Sequence, residues 1–111
     1  GGEARVGRAA ARIIAAETLN LRSAQRAVAG GEPGPEGAVT KLLGSENIEE
    51  AASIMFELAG ADGAYLEGPG VAGGFMQLMH RAIAIAGGTS EIKRNQIGER
   101  ILGLPRDPLI D

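Results

Sequence analysis

The sequence contains no cysteine among its 111 residues. That absence excludes a disulfide scaffold, a thiolate zinc site and a cysteine nucleophile, and it is compatible with a cytoplasmic location. Aromatic residues are nearly as scarce, at 3% of the chain, so any interior must be built from Ala, Leu, Ile, Val and Met. Such an interior suits closely packed helices better than a sandwich or a barrel. No apolar run approaches the roughly 20 residues of a membrane span, and no secretory leader is expected ahead of the first helix. Eleven basic and fourteen acidic residues are interspersed, for a net charge of −3, and no basic stripe stands out. A nucleic-acid partner is therefore not expected. Metal-ligand spacings, a phosphate loop of Walker type and a dinucleotide fingerprint are all missing.

What the chain does have is punctuation. Its 18 glycines sit as singles and pairs at the ends of apolar stretches, without a collagen-like period. Four helical segments lie between them, with no strand pattern. The first runs from about Glu3 to Ala29, where Val6, Ala10, Ile13, Leu21, Ala24 and Val28 recur at helical spacing with Glu17 as the exception. Gly30-Gly31 stops it. The linker through Gly34-Pro35 is the clearest loop, and Pro35-Glu36 looks like a helix start, with proline in the first turn and an acid near the positive end of the dipole. The second helix reaches about Ala59, with Ile48, Ala51, Ala52, Met55, Leu58 and Ala59 as its apolar face. Gly60 to Gly74, rich in glycine and holding Pro69, reads as a long irregular connection.

The third helix has the cleanest pattern: Phe75, Leu78, Met79, Ala82, Ile83 and Ala86 match one helical face. Gly87-Gly88 breaks it, Thr89 caps a fourth helix with Glu91 in its first turn, and Gly103 with Pro105 ends that helix. Ile92, Ile97, Ile101 and Leu104 give it a partial stripe. Helices of this length with short joints predict an all-α fold, an antiparallel bundle with room for one further helix and a groove where that helix is lacking. An exposed apolar groove marks a partner surface. The chain opens on Gly1-Gly2 without a methionine, as expected of truncation, processing or a tag remnant.

The candidates for chemistry are few. The only histidine, His80, is expected to be structural, and Tyr65 is expected to pack over the glycine-rich loop. Arg5, Arg8 and Arg12 share one side of the first helix and are expected to be solvated. Glu46, Glu49 and Glu50 are expected to form an exposed acidic edge. The sharpest signal is the run Gly87 to Pro108, GGTSEIKRNQIGERILGLPRDP. Locally it is a helix stopping at paired glycines and another beginning at a threonine cap, where outward N–H groups and the helix dipole favour an anion. On spacing alone this is an ordinary helical corner.

That run resembles the C-terminal part of acyl-CoA dehydrogenases: Gly-Thr-Ser-Glu-Ile, a basic residue, Asn, and later Glu-Arg followed by Leu-Gly-Leu-Pro-Arg. KLLGSE from Lys41 to Glu46 is similar to the family's Lys…Ser-Glu helix. Glu57 to Gly63 falls where the family has a Gln…Gly-Gly…Gly loop. The resemblance covers essentially the whole chain, so residues 1–111 are expected to form the C-terminal helical domain of such an enzyme and to be inactive alone.

Several expectations follow from the resemblance. The family removes the α-proton and β-hydride of an acyl-CoA thioester, passing the hydride to FAD held at a subunit interface, which implies an acyl-CoA substrate and a homo- or hetero-oligomer. Thr89 and Glu91 are the implied contacts to the flavin cofactor. Glu57, Gly60 and Ala61 fall on the loop that meets its dinucleotide end. The N–H of Gly87 is the implied donor to the thioester oxygen.

The sequence departs from the family pattern in three places. Glu57 stands for a glutamine and turns a negative charge toward a pyrophosphate, which costs affinity unless it is neutralised. Ala61 stands for a glycine and narrows the approach to a ligand. Ala86 and Gly87 stand where many members place the catalytic glutamate, so no catalytic side chain is expected in this chain. Either the base comes from an earlier helix, or this is the base-lacking subunit of a heteromer. A non-enzymatic helical interaction module is the remaining alternative.

Overall fold

The computed structural model describes residues 1–106 and 108, so Asp107 of the C-terminal motif and Leu109–Asp111 lie outside the described residues. Among the described residues there are helices and no strand: α1 (Gly2–Val28), α2 (Glu36–Ala59), a short 3-10 turn (Gly60–Ala64), α3 (Val71–Ile85) and α4 (Ser90–Arg100). Apart from the start of α3 and the end of α4, the helix ends fall where the glycines, Pro35 and Thr89 place them. α2 is the hub. α1, α3 and α4 each pack against it, and the 3-10 turn packs against α2 and α3.

The packing is closest where side chains are smallest. Ala38, Ser45 and Ala52 are buried on α2, each seven residues from the next, so they line one side of two-turn steps. Opposite them α3 buries Gly73, Gly74 and His80. A Cβ on Gly73 would meet the Met55 carbonyl oxygen at 2.8 Å, and one on Gly74 would meet the Gly63 carbonyl oxygen at 2.2 Å. α3 thus begins at Val71, inside the stretch expected to be irregular, because those glycines let its first turns lie against backbone.

The apolar faces expected from periodicity are largely turned outward. On α3, Phe75, Leu78, Met79 and Ile83 are exposed, as are Ala82 and Ala86. The side that meets α2 carries Gly73, Gly74, Gln77, His80 and Ala84 instead. On α2, Ala52 is fully buried but Met55 and Leu58 are exposed, the latter at 81%. α1 buries no residue, and its Val6, Ile13, Leu21 and Val28 face away from α2. Arg5, Arg12 and Arg26 occupy its α2-facing side. Tyr65 is exposed rather than packed over its loop.

Charge holds α1 in place. Arg5 bonds Glu50 at 2.6 Å, Glu57 at 2.6 Å and the Ser53 hydroxyl at 2.8 Å. Arg12 bonds Glu46 at 2.6 Å, and Arg26 pairs with Glu36. These pairings correct the expectation of a solvated face for Arg5 and Arg12 and of an exposed acidic edge for Glu46 and Glu50, whereas Arg8 and Glu49 are exposed as expected. The radius of gyration is 17.1 Å, against roughly 13 Å for a compact domain of this length. No large side chain is fully buried among the described residues. The bundle is open, with α1 and α3 presenting apolar stripes that nothing here covers. No helix is long and apolar enough to cross a membrane among the described residues.

Candidate functional site

Two places carry the expected site residues, and they lie at different levels of α2. The first is the corner between α3 and α4. α3 ends at Ile85, and the chain reverses through Gly87 at φ +72° and Gly88 at φ +102°. This left-handed region is costly for any residue with a Cβ, which explains the glycine pair. Thr89, in an extended conformation, then caps α4, its hydroxyl accepting from the Ile92 amide at 3.4 Å. The Glu91 carboxyl is held below its usual range by its own backbone N–H and then by the Thr89 hydroxyl. The Gly87 N–H has no acceptor among the described residues.

Across from this corner, Lys41 of α2 donates to the carbonyl oxygens of Ile83 at 3.0 Å and Ala84 at 2.9 Å. Two of the orphan carbonyls at the end of α3 are thereby satisfied, by a positive charge at the negative end of its dipole.

Beside the corner runs a groove of about 580 Å³ between α1, α2, α3 and the start of α4. Thr89, Ser90 and Glu91 form one wall, with Arg81 and Arg94 near them and Arg12, Glu46 and Glu50 opposite. Arg94 reaches Glu46 at 2.9 Å, so Glu46 is shared between Arg12 and Arg94. Arg81 is exposed and makes no ion pair among the described residues. The groove is polar, with positive and negative groups interleaved.

The second place is the end of α2. Glu57 lies in its last turn, with both carboxylate oxygens accepting from one terminal nitrogen of Arg5 at 2.6 Å. Bonding to Arg5 holds the Glu57 and Glu50 carboxyls below the usual carboxylate range and pushes the guanidinium's own pKa up. The negative charge of Glu57 is therefore neutralised within the chain. Gly60 follows at φ +55° with open space around its α-carbon, and Ala61 is exposed on the 3-10 turn. From Glu46, beside the first place, to Gly60 is 14 residues of helix, roughly 21 Å. None of Glu57, Gly60 and Ala61 lines the groove that Thr89 and Glu91 line.

From the sequence, Arg12 is expected only as part of a solvated face and Lys41 only as the start of a similar helix, and neither of them, nor Arg81, is assigned a place at this site. Arg12 and Arg94 meet the groove through contacts 34 and 48 residues apart in the chain, which no local pattern reports. The Lys…Ser-Glu similarity was the available pointer to Lys41. His80 is buried, and neither ring nitrogen has a partner among the described residues. No group of three or more His, Cys, Asp or Glu residues could hold a metal among the described residues.

Comparison with known proteins shows the family. The family model "Acyl-CoA dehydrogenase, C-terminal domain" matches residues 2–102. Acyl-CoA dehydrogenase FadE34 of Mycobacterium tuberculosis is 35% identical over 102 residues, covering 92% of this chain and 14% of that protein. Acyl-CoA dehydrogenase IpdE1 of Mycolicibacterium smegmatis is 40% identical over 81 residues, covering 68% of the chain and 19% of its own length. Acyl-CoA dehydrogenase FadE26 of Mycobacterium tuberculosis is 34% identical over 104 residues, covering 88% and 26%. The chain thus spans about a quarter or less of each of these relatives. No solved structure gives a significant match.

Proposed function

Since the chain belongs to the acyl-CoA dehydrogenase family, within its C-terminal domain, we propose that the protein carrying it dehydrogenates an acyl-CoA thioester between Cα and Cβ. FAD, when bound, accepts the β-hydride. This chain supplies contacts rather than the whole centre. Thr89 and Glu91 meet the cofactor at the α4 corner, while Gly60 and Ala61 meet the dinucleotide end of a cofactor at the other end of α2. Two places about 20 Å apart along one helix suit contacts to two cofactors at subunit interfaces.

The observation that carries the proposal is the corner itself. The Gly87 N–H, without an acceptor among the described residues, stands two residues before a capped helix start. It is the donor proposed to hold the thioester oxygen and so stabilise enolate charge as the α-proton leaves. The residues fit the cofactor in three respects. The α4 start offers backbone N–H groups and Arg81 beside a polar groove. Gly60 leaves room for close approach. Arg5 neutralises Glu57.

The proton goes to a carboxylate outside this chain. A general base works best with a pKa near the operating pH. Ala86 and Gly87 stand where many members of the family place the base; of the groove's carboxylates, Glu50 is bonded to Arg5 and Glu46 to two arginines, while Glu49 is exposed and makes no ion pair among the described residues. That observation also keeps a second reading open, in which this is the base-lacking subunit of a two-chain enzyme. Co-purification of a second dehydrogenase chain bearing the glutamate distinguishes it. In either reading the exposed stripes of α1 and α3 are covered by other subunits or segments.

The test is spectroscopic. The purified intact protein should show a flavin band at about 450 nm that bleaches when acyl-CoA is added without oxygen. A protein that folds, takes up no flavin and turns over no acyl-CoA defeats the proposal.

A further inference from the structure

The corner that carries Gly87 is made of the most pliable backbone available, yet its proposed work requires a fixed N–H direction. Gly87 and Gly88 are adjacent residues at positive φ, and glycine pairs have the widest conformational choice of any dipeptide. Something outside the pair must hold it.

On the α4 side, Thr89 caps the helix, and the Lys93 stem lies against Gly88, its Cε 3.1 Å from where a Cβ would stand. On the α3 side, the Ala86 amide bonds Ala82 and the Gly88 amide bonds Ile85. The remaining brace comes from across the bundle. Lys41, half-buried in the second turn of α2, places its Nζ on two successive carbonyls of the last turn of α3. Its Cε lies 4.0 Å from the Cβ position of Gly87. One side chain thus fixes the end of α3 to the hub helix α2 and flanks the glycine whose N–H is at issue. A single ammonium can reach both carbonyls because its three donors splay from one point.

We infer that Lys41 is a positioning residue for the reaction: by pinning the Ile83 and Ala84 carbonyls it sets the direction in which Gly87 presents its N–H to the thioester oxygen. This rests on the Gly87 reading above and deepens it. A preorganised donor acts on the charge that develops in the transition state, and misplacement by about 1 Å can lower turnover by up to about 100-fold. Loss of the brace should therefore lower kcat by about 10- to 100-fold. Because such a donor acts chiefly on charge that develops in the transition state, the acyl-CoA KM should change by less than about threefold.

The experiment uses the intact enzyme, wild type beside K41M, with K41Q as a milder change and K41R as the charge-keeping one. Each is loaded with the 2-enoyl-CoA of the chain length turned over fastest, 13C-labelled at the thioester carbonyl. Isotope-edited infrared spectra read how strongly that carbonyl is polarised. The inference expects a downshifted stretch in wild type, most of that shift lost in K41M or K41Q, and at least half regained in K41R, with the kcat loss following the same order. A shift equal in wild type and K41Q, whatever the melting temperatures, overturns the role of Lys41 and leaves Gly87 intact as donor. A carbonyl unshifted in wild type overturns the Gly87 reading and this inference with it. Should K41M not fold, the K41Q and K41R pair decides the matter in the same way.

Discussion

Gly74 offers a test in which one substitution should have opposite signs at two places in the same fold. A Cβ added there would stand 2.2 Å from the carbonyl oxygen of Gly63, which belongs to the 3-10 turn carrying Gly60 and Ala61. Backbone must yield by about 1 Å to admit a methyl group, because both partners are main chain and neither can swing away. Gly44, within α2, would meet nothing within 4 Å. Alanine in a helix interior is better than glycine by about 1 kcal/mol through backbone entropy, so Gly44→Ala should stabilise by about 0.5–1 kcal/mol. Gly74→Ala carries the same helical gain but adds about 1–3 kcal/mol of overpacking.

The difference between the two variants isolates the contact, since the propensity term cancels. Native-state hydrogen exchange on the intact protein reads it locally. The α3 amides should be less protected in Gly74→Ala than in Gly44→Ala by about 5- to 150-fold, the roughly 1–3 kcal/mol of overpacking at about 1.4 kcal/mol per factor of ten. Flavin retention should fall in Gly74→Ala too, because the turn moves. If α3 stays as protected in Gly74→Ala as in Gly44→Ala, the close backbone approach is refuted.

Three further outcomes are expected. Glu50 and Glu57 have carboxyls depressed by Arg5, so their contribution is present above the unfolded carboxylate pKa of about 4.3 and lost as pH falls through the lower folded values; Arg5→Met should flatten that acid limb of the stability profile, and an unchanged limb contradicts the clamp. Thr89→Ala should cost about 1 kcal/mol of α4 stability, and Thr89→Ser much less, by amide exchange at Ile92. Replacing Phe75 and Leu78 together by glutamate should lower the oligomer mass in light scattering while helical circular dichroism persists; an assembly of unaltered mass would show that the outward stripe of α3 is not a contact surface.

The sequence was legible wherever structure is set by neighbours in the chain. Gly30-Gly31, Pro35, Gly87-Gly88 and Thr89 mark the helix ends within a residue or two, because stops, starts and caps are decided by local sterics and local hydrogen bonds. The corner motif was legible for the same reason. The burial faces were not. Periodicity shows that α3 has an apolar stripe, but not what covers it, and within the described residues that stripe lies outside while His80 and Gln77 face α2. Gly73 and Gly74 looked like loop because their use, backbone lying on backbone, depends on Met55 and Gly63. The charge clamp on Glu57 joins residues 52 apart in sequence, and no pattern within a helix reports it.

The most direct measurement is a cryo-electron microscopy map of the intact protein purified with its bound flavin. The Thr89–Glu91 corner should lie within hydrogen-bonding reach, about 3 Å, of one FAD, with Gly60 and Ala61 of the same chain against the dinucleotide end of another and the Gly87 N–H facing the thioester pocket. A map in which the flavin sits away from both ends of α2, or in which the corner packs only against protein, contradicts that assignment.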